Sequence, residues 1–144
     1  MSIFAKLREG VTTSSAEETH VLAHELARAL PADATLALHG DLGVGKTTFV
    51  QGLARGLGVS DPVTSPTFNV FTLYRGTDRT LVHMDAYRLE NDRQLDSLML
   101  EDFLISPWVL AVEWPEKIAA WIPSNALHLD LGITPNQHHT VRLR

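Results

Sequence analysis

The chain has 144 residues, 44% of them hydrophobic and 20% charged, the size of one domain with enough apolar side chains for its own core. Twelve Lys and Arg stand against 17 Asp and Glu, a net charge of −5 with no basic run, which argues against the phosphate-neutralising surface that non-specific DNA or RNA binding needs; the lack of cysteine excludes a disulfide framework and a thiolate zinc site. No apolar run approaches the roughly 18 residues of a membrane span, and MSIFAKLREG carries no signal-peptide pattern, so the expectation is a soluble cytoplasmic protein with neither membrane nor DNA as partner.

Ser14 and Ser15, followed by Glu17 and Glu18, form overlapping Ser-x-x-Glu capping boxes. Behind them Leu22, Leu26, Ala29 and Leu30 recur at helical spacing, which predicts a helix over 16–30 stopped by Pro31. Thr35 to His39 reads as a short apolar strand, and Lys46 to Leu57 as a helix ended by Gly58. Asp61 to Pro66 is turn-rich. Phe68 to Tyr74 and Thr80 to Asp85 are β-branched and aromatic runs joined by RGTD, an antiparallel hairpin. Asp92 to Leu104 reads as one or two short helices ahead of Pro107, and Trp108 to Glu113 as a buried strand. Pro115 opens a short helix, Glu116 to Trp121. Ala126 to Ile133 and Thr140 to Arg144 close the chain as two strands. No repeat or linker divides it, so the expected architecture is a single α/β domain over 1–144, a mixed sheet flanked by helices.

Between the first strand and its helix lies Gly40-Asp41-Leu42-Gly43-Val44-Gly45-Lys46-Thr47, which matches G-x-x-x-x-G-K-[ST] in full. Such a loop wraps a polyphosphate with inward-pointing backbone N–H groups, and side chains at the crowded positions would block that approach. Lys46 supplies a positive charge to the β- and γ-phosphates, Thr47 a hydroxyl to Mg²⁺, and the helix N-terminus a further partial positive charge. Strand before and helix after are the context that the mechanism requires, and they make the expected fold P-loop NTPase-like with ATP and Mg²⁺ as ligands.

Such a site needs an acid at a strand end to hold Mg²⁺. LVHMD ends in Asp85 and WVLAVE in Glu113. Both fall where open α/β sheets bind ligands, although either can simply cap the next turn. Asp85 is assigned to the metal with Thr47, and Glu113 to orienting or deprotonating the attacking water, with Lys46 as the second catalytic group. Ser65-Pro66-Thr67 is either an ordinary proline turn or a switch whose hydroxyl follows the γ-phosphate through Mg²⁺.

GDLGVGKTT, VTSPTF, HMDAYRL and VEWPEKI, in this order and in so short a chain, resemble the TsaE family, formerly YjeE, the bacterial ATPases involved in making threonylcarbamoyladenosine on tRNA. The resemblance runs over nearly the whole chain. It implies that Gly40, Asp41, Leu42, Gly43, Val44, Gly45, Lys46, Thr47 and the adjoining Thr48 bind nucleotide, that Ser65, Pro66 and Thr67 act as a switch, that Asp85 is the second Mg²⁺ contact, and that Glu113 is the catalytic acid beside Trp114. It implies TsaB and TsaD as partners, with TsaC completing the modification, and contact with tRNA only through them. Phe68, where many relatives have tyrosine, and His39, before Gly40, are small departures. A longer family tail would be missing after Arg144.

Four functions compete on the residues. A slow ATPase driving a partner machine leads. A small-molecule kinase would need a lid with arginines, and between Leu89 and Leu104 the only arginine is Arg93. A GTPase would carry Asn-Lys-x-Asp, and none of Asn69, Asn91, Asn125 or Asn136 is followed by lysine. A nucleotide binder with an inert Glu113 is the fourth. Around the site, Trp114 either stacks on adenine, meets a partner or packs in the core. Arg88 either reaches a phosphate or a partner carboxylate or does neither. Tyr87 and His83 read as packing, His83 on the strand face of Asp85. His138 and His139 read as solvent-facing.

Overall fold

The computed structural model describes residues 1–64, 70–91 and 93–144. The segment Ser65-Pro66-Thr67, together with the first two residues of the predicted strand 68–74, lies outside them. The chain opens with helix α1 (Ile3–Glu9), where the Ser2 hydroxyl accepts from the Ala5 N–H at 3.1 Å, and a three-residue strand β1 (Val11–Thr13). Neither is among the elements read from sequence. Only Ile3 and Leu7 of α1 are buried, one apolar repeat, and β1 is too short to show alternation.

Helix α2 (Ala16–Ala29) starts where the capping residues predict. Ser15 accepts from the Glu18 N–H at 3.1 Å, and the Glu18 carboxylate accepts from the Ser14 N–H at 2.9 Å and from the Ser14 hydroxyl. Those Ser14 hydrogen bonds hold the Glu18 carboxyl below the usual carboxylate range. Then follow β2 (Ala34–His39), α3 (Lys46–Gly56), β3 (Phe71–Arg75), β4 (Thr80–Asp85), α4 (Arg93–Ser97), β5 (Trp108–Glu113), β6 (Leu127–Ile133) and β7 (His139–Leu143). Short 3-10 turns cover Ala86–Arg88, Leu100–Phe103 and Pro115–Ile118. The predicted helix after Pro115 is therefore a single turn that stops short of Trp121.

The seven strands lie in the order β1-β7-β6-β2-β5-β4-β3. The four central ones, β6, β2, β5 and β4, are parallel, and the antiparallel partners β3, β7 and β1 extend the two sides. This is the predicted mixed sheet. Its parallel centre is buried on both faces, as βαβ-type crossovers demand. On one face Leu36, Leu38, Leu81, Val109, Ala111 and Leu129 pack with α2 and α3; on the other Val82, Met84, Leu110 and Val112 pack with Leu95, Leu100 and Ile118. Leu95 and Leu100 thereby tie the 93–103 segment into a core, so it is a packed part of the domain.

Helices α2 and α3 approach until their backbones touch, through Gly52 and Gly56 one turn apart. A Cβ on Gly52 would lie 2.7 Å from the His20 carbonyl oxygen and 2.7 Å from Ala23 Cβ; one on Gly56 would lie 2.8 Å from the His24 carbonyl oxygen and 2.6 Å from Ala27 Cβ. This contact fixes how α3, and the loop at its start, sits over the sheet. Alanine is the better helix former by about 1 kcal/mol, but overpacking against backbone costs about 1–3 kcal/mol. Gly52→Ala should therefore lower the urea midpoint of unfolding, and an unchanged or higher midpoint would contradict the close approach.

Candidate functional site

The site begins where β2 ends. Gly40 takes φ +151, and a Cβ there would lie 2.7 Å from both the Leu131 carbonyl oxygen and Val44 Cγ2. Gly45 takes φ +95 at the start of α3, with the His139 ring 3.1 Å from where its Cβ would stand. Glycine is required at both positions by backbone angle and by space. Gly45 makes no side-chain cap for α3, so the helix start is left for an anion to approach.

Lys46, first residue of α3, is only 5% exposed. Its ammonium donates to the Gly40 carbonyl at 2.7 Å and lies 3.9 Å from the centre of the Trp114 ring. Burial pushes its pKa below the usual lysine value, opposed by the carboxylates of Glu113, Asp85, Glu116 and Asp41. The loop is thus folded around its own lysine, which joins the first glycine to the aromatic ring under the through-space pull of the acids.

Asp85 and Glu113 are the last residues of β4 and β5 and stand directly opposite each other in the parallel register; Glu113 is opposite Leu38 of β2 as well. Side-chain alternation puts both acids on the face of Leu81, Val109 and Ala111, the side covered by α3. The two predicted carboxylates are therefore neighbours at the carboxyl edge of the sheet, beside the loop. Asp85 also accepts from the Tyr87 N–H at 3.0 Å, so it caps the next turn as well. Glu113 is 6% exposed and paired with His83, whose Nε2 lies 2.5 Å from Glu113 Oε2.

Trp114 follows with φ +58, a left-handed angle that bulky residues rarely adopt. The angle turns its ring over Lys46 and 5.1 Å from the Tyr87 ring, with the Lys117 ammonium 5.7 Å from the centre of the Tyr87 ring. Tyr87, itself exposed, thus packs on a half-buried Trp114. An open cleft of about 520 Å³ is lined by Gly43, Gly45, Lys46, Thr47, Thr48, Asp85, Arg88, Glu113, Trp114 and His139, with Leu42 at its rim. Its size suits a nucleotide. It brings together every predicted site residue among the described ones except Gly40, Asp41 and Val44, which belong to the same loop.

These residues fit a magnesium nucleotide. The uncapped helix start, the side-chain-free loop and Lys46 match a polyphosphate. Thr47 and Asp85 offer oxygen ligands of the kind Mg²⁺ takes, and among the described residues no group of three or more His, Asp or Glu is placed to cage a metal, so phosphate oxygens would complete its shell.

The reading of His139 as solvent-facing is overturned. From β7 its Nδ1 lies 3.0 Å from the Val44 carbonyl oxygen, and its ring packs against Gly45. Sequence spacing carried no signal for this contact across 95 residues. On the other side of the loop His39 stacks on His128, ring centres 5.1 Å apart, with a hydrogen bond of 2.8 Å between His39 Nε2 and His128 Nδ1.

The family model for Threonylcarbamoyl adenosine biosynthesis protein TsaE matches residues 13–141. The tRNA threonylcarbamoyladenosine biosynthesis protein TsaE of Treponema pallidum is 34% identical over 119 residues, 83% of this chain and 87% of that protein. Its Bacillus subtilis namesake is 40% identical over 118 residues, 81% of this chain and 73% of that protein. The crystal structure of Bacillus subtilis YdiB superposes with a TM-score of 0.77 at 31% identity, covering 93% of this chain and 82% of that one.

Burial, and after it the charges of Arg144 and His128, push His39 below the usual histidine pKa, against the opposing pull of Asp130 and Glu116. The unfolded chain then binds a proton at His39 more readily than the folded one, so stability rises with pH through the histidine range. Urea unfolding should show lower stability at pH 5.5 than at 7.5, and His39→Leu should flatten that difference. An unchanged slope in the variant would remove His39 as its source.

Proposed function

The chain belongs to the TsaE family of tRNA threonylcarbamoyladenosine biosynthesis, and on that premise we propose that it is a P-loop ATPase, slow by itself, whose hydrolysis drives turnover of a TsaB–TsaD complex. The observation that supports this reading best is the convergence of Lys46, Asp85 and Glu113 on the uncapped start of α3.

The loop from Gly40 to Thr47 would hold the phosphates, with Thr48 and the open side of the cleft next along the nucleotide. Lys46 leaves the Gly40 carbonyl and the Trp114 ring for the β- and γ-phosphate oxygens and stabilises charge that builds there. Thr47 and Asp85 would hold Mg²⁺, which neutralises phosphate charge when bound. The Glu113 carboxylate accepts a hydrogen bond from water and points its oxygen at the γ-phosphorus. The switch reading of Ser65, Pro66 and Thr67 belongs to the same proposal. Trp114 stands at the phosphate end of the site beside Lys46, which favours a partner or phosphate-end role over stacking on adenine.

The acid pair and lysine are present, but among the described residues no arginine occupies the place of a transition-state finger except the exposed Arg88 at the cleft edge. Such a finger is worth about 10³–10⁵ in rate. Turnover by the pure chain should therefore be far below 10 s⁻¹, a typical enzyme rate, and should rise when TsaB and TsaD are added. The test is ATP turnover with and without that complex. Lys46→Ala should abolish nucleotide binding, and Glu113→Gln should keep binding while losing about 10²-fold or more in turnover. Rapid hydrolysis by the monomer, or full turnover by Glu113→Gln, would refute the assignment.

A further inference from the structure

Beneath the two cleft acids lies a histidine with no access to solvent. His83 is 0% exposed, one strand over from Glu113 and two residues before Asp85. Its Nε2 meets Glu113 Oε2 at 2.5 Å, and its Nδ1 is buried with no hydrogen-bond partner among the described residues. A histidine that served packing alone would be an expensive choice here. Its neighbours on the same face are Leu81, Val109 and Ala111, with Thr72 opposite on β3, and an apolar side chain here would avoid the unmatched Nδ1 but take from buried Glu113 Oε2 its partner.

Nε2 is the ring nitrogen that meets the carboxylate, so it is the nitrogen that donates. Nδ1 meets no hydrogen-bond partner among the described residues, so no second contact there competes for the orientation of the ring. The bond serves orientation: one oxygen of Glu113 is tied to the strand beside it, and the other is left for the cleft.

We propose that His83 is a positioning residue for Glu113, donating from Nε2 to Oε2 so that a single carboxylate oxygen faces the water at the γ-phosphate. The proposal rests on the reading of Glu113 as the group that orients this water.

The test compares His83→Leu, which removes the donor, with His83→Gln, whose amide N–H reaches a similar distance from the backbone. ATP turnover of the full chain, saturated with its TsaB–TsaD partners, should fall about tenfold in kcat for His83→Leu, the worth of one hydrogen bond, with KM within about threefold. His83→Gln should recover most of it. In a Glu113→Gln background, His83→Leu should cost less than twofold more, because His83 acts only through Glu113. Imidazole ¹⁵N spectra of the unmutated protein should show a hydrogen-bonded proton on Nε2 of His83, a readout that needs no turnover. Equal losses for Leu and Gln, an undiminished loss in the Glu113→Gln background, or an Nε2 that carries no proton would overturn the proposal and leave the ATPase reading standing. Full turnover by Glu113→Gln alone would overturn both.

Discussion

A buried ammonium is the constraint around which this domain is arranged. An isolated lysine charge removed from water costs several kcal/mol unless it is matched, and Lys46 is almost wholly covered. It donates to the carbonyl of Gly40 at the end of β2 and lies against the face of Trp114, while the carboxylates of Glu113 at the end of β5 and Asp85 at the end of β4 offset its charge through space. Only a sheet with β2, β5 and β4 side by side, parallel and in register, supplies all of them at one edge. The charge in turn holds two carboxylates close together without leaving their mutual repulsion unopposed. The arrangement is poised, because the two direct contacts of Lys46, a neutral carbonyl and a ring face, are ones that an anionic phosphate oxygen can replace with a stronger contact.

What surrounds this centre keeps it from relaxing. The α2–α3 contact sets the height of α3 above the sheet, since Gly52 and Gly56 permit one separation and nothing larger than glycine fits. From the other side the loop is hemmed by the Leu131 carbonyl at Gly40 and by the His139 ring at Gly45. At the outer end of β6 and β7, Arg144 grips Asp130 through three hydrogen bonds between 2.8 and 3.1 Å. Trp114 stores strain in its left-handed backbone angle, of order 1–3 kcal/mol, and its ring is what covers the ammonium.

The parts legible from sequence are those whose chemistry is local. The glycine loop announces itself because each position has its own steric or electrostatic demand. Trp108–Glu113 is readable as a buried strand because its apolar run is unbroken, and the Ser15–Glu18 cap because capping is a matter of four adjacent residues. Asp85 and Glu113 could be named as strand-end acids, but their adjacency depends on β4 and β5 pairing across a crossover. His83 and His139 lie beyond what local pattern records. One reads as packing and is hydrogen-bonded to the cleft acid Glu113; the other reads as solvent-facing and packs against the loop. Both act across strand pairs or loops far apart in the chain, which no periodicity records. Helix α1 and strand β1 escaped for the opposite reason, being too short to display any period.

The contact between His139 and the loop bears on the order in which the molecule can be built. The loop is complete in the nascent chain once Thr47 has been made, yet the side chain that presses on Gly45 is added 92 peptide bonds after Thr47, on the last strand in the sequence. Until β7 has been made, the loop has its glycines and its lysine but not the ring that packs on Gly45. Strand β7 is also the one that bridges β6 to β1, so the same late residues close the sheet and the cradle together. A growing polypeptide of this sequence therefore gains its braced loop only after β7 has been made, as the domain folds as a unit, and a chain released before that strand would carry the full glycine motif without the brace.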